Sequence, residues 1–177
     1  FGGLAKDRLA VETDVATLQF VGSSGSLLAS GTLDGVLRLH RATDCAVVAE
    51  RTFDKPVVAV AASQASAWAV ATGQDVFLFD DASLGETGVI AFGKAVTALA
   101  LDHRARRLAA AIAHDEIDFV EMRALDAPDV KVPLRERGKT TDIYVLGSLG
   151  QLLFDSPGDR LAVVVHAESY PSLIEVF

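Results

Sequence analysis

Apolar residues along this chain come in short bursts separated by polar turns. Four bursts resemble one another: Val36-Leu37-Arg38-Leu39-His40, Val76-Phe77-Leu78-Phe79-Asp80, Ile117-Asp118-Phe119-Val120-Glu121 and Ile174-Glu175-Val176-Phe177. Aligned on Leu37, Val76, Ile117 and Ile174, they recur at steps of 39, 41 and 57 residues. Upstream of each lies a second run: Leu27-Leu28-Ala29-Ser30, Trp68-Ala69-Val70-Ala71, Leu108-Ala109-Ala110-Ala111 and Leu161-Ala162-Val163-Val164. Before these come Val15 to Val21, Val57 to Ala62, Val96 to Leu101 and Leu152 to Phe154. A fourth, partly alternating strand is predicted in Val47 to Phe53, Gly88 to Phe92 and Val130 to Leu134. Leu108 to Ala113 taken alone reads as a helix. The runs are nevertheless short, rich in β-branched and aromatic residues, and broken by turns about every ten residues, which predicts strands throughout.

A period of about 40 residues with four short strands is the signature of propeller blades. Ser30-Gly31-Thr32-Leu33-Asp34-Gly35-Val36-Leu37-Arg38-Leu39 resembles the second strand, tight Asp-Gly turn and third strand of the WD40 family. Phe154-Asp155-Ser156-Pro157-Gly158-Asp159 is similar to that family's first hairpin turn. Where the family closes its third strand with Trp-Asp, this chain has His40-Arg41, Phe79-Asp80 and Val120-Glu121, and no Gly-His dipeptide precedes a first strand. The resemblance implies an all-β β-propeller of four-stranded antiparallel blades. About four blades are expected here, over 14–54, 55–94, 95–136 and 149–177, with an inserted loop over 135–149, as part of a seven-bladed ring.

Blades narrow toward the axis, so the innermost strands need small residues on one face, and Val57-Ala59-Ala61 and Val96-Ala98-Ala100 fit that taper. Trp68, Phe77, Phe79 and Phe119 are expected to pack between adjacent sheets, because one blade cannot bury both its faces alone. By resemblance, one rim is built from the loops entering each first strand and those joining second to third strands. Mapped onto this chain, that rim supplies Asp14, Asp34, Lys55, Gln74, Lys94, Asp115 and Tyr170 as candidate protein contacts.

Charge narrows the function classes. With 16 Lys and Arg against 24 Asp and Glu, the net charge of -8 disfavours direct nucleic-acid binding and anionic membranes. The single Cys45 cannot form an internal disulfide, which points to a reducing, intracellular setting, cytoplasmic or nuclear. No apolar run is long enough for membrane insertion, and a start at Phe1 is read as an entry partway through a longer polypeptide. His40, His103, His114 and His166 fall in separate repeats without metal-site spacing, so no metal or cofactor is expected. Gly22-Ser23-Ser24-Gly25-Ser26 lacks the Lys-Ser or Lys-Thr of a phosphate loop and reads as a hairpin turn, and His114-Asp115-Glu116 reads as an ordinary turn.

The expectation is therefore a non-catalytic scaffold binding other protein subunits of a hetero-oligomeric complex. Two alternatives stand beside it. A propeller hydrolase or lactonase would hold a metal in the central channel with inward carboxylates or His. A phosphoinositide or RNA reader would use the basic run His103-Arg104-Ala105-Arg106-Arg107.

Overall fold

Each apolar run pairs with the next because the turns between them reverse the chain within a few residues. The computed structural model describes residues 14–22, 25–80, 83–113, 119–125, 131–132, 148–155, 160–166 and 173–176. The first sheet holds β1 (Val15–Val21), β2 (Leu27–Thr32), β3 (Val36–Arg41) and β4 (Val47–Thr52). The second holds β5 (Val57–Ala62), β6 (Trp68–Thr72), β7 (Asp75–Phe79) and β8 (Glu86–Ala91). The third holds β9 (Val96–Leu101), β10 (Arg107–Ile112), β11 (Phe119–Ala124) and β12 (Lys131–Val132), and the fourth β13 (Ser148–Phe154), β14 (Leu161–His166) and β15 (Leu173–Val176). Pairing is antiparallel and sequential in every sheet, and no helix occurs among the described residues. β1 packs beside β5, β5 beside β9 and β9 beside β13, so the first strands of the four sheets line one axis. The architecture is that of an all-β propeller, seen over an arc of four blades.

The core lies between blades. Each blade has a front face, which looks toward the next blade, and a rear face, which looks toward the preceding one. Side chains alternate along a strand, so each second strand serves two junctions at once. In Trp68-Ala69-Val70-Ala71, Trp68 and Val70 pack rearward with Val21, Leu27, Ala29, Leu37 and Leu39 of the first blade. Ala69 and Ala71 pack forward with Leu99, Leu101, Leu108 and Ile112 of the third. Ala109 and Ala111 likewise meet Leu152, Leu161 and Val163 of the fourth. At the second and third junctions, small front faces thus receive bulky rear faces. At the first junction the fit leaves no room for a side chain at Gly31, where a Cβ would stand 2.2 Å from Cγ1 of Val57.

Aromatic and cationic side chains close the outer parts of these junctions. Trp68 stacks on Phe79 with ring centroids 4.4 Å apart, and Phe53 of the first blade meets Phe77 of the second at 4.8 Å. Arg51 reaches from β4 across the rings of Phe53, Phe77 and Phe79 and pairs with Glu86 at 2.7 Å. Trp68 and Phe79 are almost fully buried, as expected of inter-sheet aromatics, whereas the Phe119 side chain lies outside the described residues.

Two details differ from the reading of the sequence. Each first strand carries a register shift near its start, at Ala16, Val58, Thr97 and Gly150. Such a bulge turns the residue before it to the opposite face. Val57 therefore packs rearward against the first blade while Ala59 and Ala61 face the third, and Val96 is separated from Ala98 and Ala100 in the same way. The second difference concerns the third repeat. Leu37 pairs with Gly31 and Val76 with Ala71, but the partner of Ala111 is Val120, three residues beyond Ile117. The β10–β11 connection is longer than its counterparts, a length that the shared spacing of Leu28–Leu37 and Leu108–Ile117 conceals. Most of the 135–149 insertion lies outside the described residues.

Candidate interaction surface

Because every first strand starts where its second strand ends, the blade entrances and the β2–β3 and β6–β7 turns fall at one end of the sheets. Asp14, Asp34, Lys55, Gln74 and Lys94 are all there and all exposed. Asp115 and Tyr170 lie outside the described residues.

The backbone beneath this rim is tied down. The Leu33 N–H donates to the Asp14 carbonyl at 3.2 Å, and the Phe53 N–H donates to the Gly35 carbonyl at 2.9 Å. The Val96 N–H donates to the Gly73 carbonyl at 2.8 Å and the Phe92 N–H to the Gln74 carbonyl at 2.9 Å, which joins the second blade's turn to the third blade's entrance. Gly35 has φ +88, and a Cβ there would meet the Phe53 carbonyl oxygen at 2.4 Å, so this turn position requires glycine. In the same turn Thr32 accepts the Val36 N–H at 3.1 Å and donates to the Asp34 carboxylate, which fixes Asp34 at the crest.

Lys55 is less free than Lys94. Its stem lies across Gly73 and its Nζ stands 3.4 Å from Asp75, an exposed pair of small energetic weight. Leu33, beside Asp34, is 53% exposed and gives the rim an apolar point that the sequence reading passed over. Its signal was a large aliphatic residue inside an otherwise polar Thr-x-Asp-Gly turn.

The axial side of the blades forms an open trough of about 520 Å³ along β1, β5, β9 and β13. Its polar residues are Thr17, Gln19, Thr97 and Gln151, the rest being aliphatic apart from Phe154. These side chains hydrogen bond but do not exchange protons near neutral pH. Among the described residues no three His, Cys, Asp or Glu side chains gather as a metal site would need.

The basic run sits at the opposite end, in the β9–β10 hairpin. Asp102 is buried, and its Oδ1 accepts the Arg106 N–H at 2.6 Å and the Arg107 N–H at 3.2 Å. Arg107 turns inward, 3.5 Å from the other Asp102 oxygen and over the Phe154 ring of the fourth blade. Only Arg104 and Arg106 of the three arginines are exposed.

No protein-family model matches the chain, and no curated protein matches it. Solved structures do. The β-propeller domain of Cps50 (Swd1) from Myceliophteria thermophila is 19% identical with a TM-score of 0.68, covering 88% of this chain and 52% of that one. Hydrazine synthase from Kuenenia stuttgartiensis is 12% identical with a TM-score of 0.74, covering 99% and 49%. The chain spans about half the length of these structures, and at such identities the likeness is one of fold. One neighbour is an enzyme by its name, so the shared architecture leaves the activity to be argued from this chain's own residues. No helix among the described residues is long and apolar enough to cross a membrane.

Proposed function

We propose that this chain is part of a non-catalytic, WD40-like propeller that holds protein partners in an intracellular multiprotein complex, using the rim around Asp14, Leu33, Asp34, Lys55, Gln74 and Lys94. The observation that carries this reading is the rim itself: exposed charged, amide and aliphatic side chains stand on turns held by backbone hydrogen bonds, one of which joins the second blade to the third. Rigidly presented side chains lose less freedom when a partner docks. The trough's Ala, Val, Leu, Thr and Gln lining favours binding over a metal hydrolase or lactonase, which needs ligands or proton-transfer groups there. The inward turn of Arg107 weakens the phosphoinositide or RNA alternative, since two exposed arginines make a small positive patch on a chain of net charge -8.

The test is a comparison of what co-purifies with the tagged full-length protein. Leu33→Asp combined with Lys94→Glu should remove a stoichiometric protein partner, while Arg104→Ala combined with Arg106→Ala should retain it. Recovery of the protein alone, or a partner indifferent to the rim change, would refute the assignment.

A further inference from the structure

Arg38, Arg41, Arg51, Arg107 and Arg123 each lie within ion-pair distance of an Asp or Glu. Arg104, Arg106 and Arg160 are exposed and have no such partner among the described residues. All three fall in hairpins that join a first strand to its second, β9–β10 and β13–β14, in neighbouring blades at the end opposite the rim. Arg107 ties these two hairpins together, its guanidinium lying 5.5 Å from the centre of the Phe154 ring. The counterpart hairpins of the first two blades, Gly22 to Ser26 and Ser63 to Ala67, carry no charge. Acids at this end are engaged or set outward. Asp102 is buried beneath its hairpin, and Asp155 is half-buried and accepts the Arg160 N–H at 3.1 Å. Asp44 pairs with Arg41 at 2.6 Å and Asp80 follows β7, so both stand in turns to the outer strands. Asp159 lies outside the described residues. On a chain of net charge -8, the uncompensated arginines thus collect over the inner hairpins of the third and fourth blades.

We infer that this end is a second interaction surface, where an acidic segment of a partner protein, a short run of Asp and Glu, lies across the inner hairpins against Arg104, Arg106 and Arg160. The guanidinium fork matches a carboxylate in shape as well as charge. Its presentation is held from beneath: Asp102 accepts the Arg106 and Arg107 N–H groups, and the Arg104 Nε–H donates to His103 Nε2 at 3.0 Å, which orients that guanidinium. The neutral Ser and Gln hairpins alongside offer polar groups without repelling an acid. Three arginines suit a short peptide. A membrane surface or an RNA would extend over the outer turns, where exposed Asp44 and Asp80 oppose phosphate. Exposed ion pairs are individually weak, so this contact is transient and salt-sensitive, and it does not depend on the rim.

The test is fluorescence anisotropy with the full-length protein and a labelled synthetic peptide of alternating Asp and Glu flanked by Gly and Ser. A second peptide carries Asn and Gln in place of the acids. The acidic peptide should bind and the amide peptide should not. Arg104→Gln, Arg106→Gln and Arg160→Gln combined should weaken binding at least about tenfold, as should raising salt from about 0.05 M to about 0.5 M. The three corresponding lysine substitutions keep the charge and should lose less. Failure of the acidic peptide to bind, equal binding of both peptides, or indifference to the glutamine variant would each overturn the inference. Binding abolished by Lys94→Glu would do the same by placing the peptide on the rim, and so would tighter, equally arginine-dependent binding of a single-stranded RNA or of phosphatidylserine vesicles. Should the glutamine variant fail to fold, the salt series on the native protein decides, and binding indifferent to salt would sink the proposal. The rim assignment is read separately, from a co-purifying partner, and stands or falls on its own.

Discussion

Oγ of Ser30 lies 2.8 Å from Nε2 of His40, and both residues are essentially buried on the rear face of the first blade. His40 stands where the WD40 resemblance places a tryptophan, so a ring nitrogen still meets the second-strand serine although the ring has changed. Burial lowers the pKa of His40, the nearby Arg38 charge lowers it further, and the Cys45 main chain acts in the opposite direction. The folded protein thus prefers the neutral imidazole, while the unfolded chain takes up a proton near 6.5. The contribution to stability is complete above that pH and declines as pH falls from 6.5 toward the lower folded value. Urea midpoints measured from about pH 8 to 5 should fall more steeply for the native chain than for His40→Phe. Parallel curves would show that His40 carries none of the dependence. Ser30→Ala should cost about 0.5–1.5 kcal/mol at neutral pH.

Gly31 lies directly against Val57 of the next blade, with no space for a Cβ. Gly31→Ala should destabilise the protein by about 1–3 kcal/mol through overpacking. Shortening the opposing residue with Val57→Ala should offset part of that loss. The double variant should be more stable than the sum of the single changes predicts, as read by chemical denaturation; simple additivity would mean that the methyl group added by Gly31→Ala finds room without displacing Val57.

Arg51 distinguishes shape from charge. Lysine keeps the pairing with Glu86 but loses the flat guanidinium that lies 4.7 Å from the Phe53 ring centre and 5.2 Å from that of Phe77. Arg51→Lys should lower stability by about 0.5–1 kcal/mol, and Arg51→Ala by more because the aromatic edge is then uncovered. Equal thermal midpoints for Arg51→Lys and the native chain would mean that charge alone matters.

Asp102 holds the basic hairpin closed from beneath. Asp102→Ala leaves the Arg106 and Arg107 N–H groups without their acceptor and should cost about 1–3 kcal/mol, with faster hydrogen exchange at those two amides. Asp155 makes the same kind of bond, to the Arg160 N–H at 3.1 Å, in a more exposed turn. Asp155→Ala should therefore cost less, and the reverse order would show that burial does not set the difference.

The repeat itself was legible in the sequence. Leu27-Leu28-Ala29-Ser30, Trp68-Ala69-Val70-Ala71, Leu108-Ala109-Ala110-Ala111 and Leu161-Ala162-Val163-Val164 recur as short apolar runs bounded by turns, which is local information. The turns at Asp34-Gly35 and at Gly73 were legible too, because Asp and Gly mark turns by type. The use of Asp102 as a hairpin acceptor was not, although Asp-x-x-x-x-Arg-Leu occurs both at Asp102 and at Asp155.

What the sequence determined by itself, then, is strand, turn and period, properties fixed within a few residues by backbone sterics and the need to bury every second side chain. Tertiary structure alone decided which face each inner-strand residue joins. The bulges at Ala16, Val58, Thr97 and Gly150 arise where a first strand pairs with its second, and they send Val57 and Val96 to the opposite face from the alanines beside them. It also decided that His40 meets Ser30, that Arg107 turns inward, and that Leu18 and Phe20 stand open. Each depends on a neighbour brought close by the chain's path rather than by its order, and the period of a sequence carries no record of that neighbour.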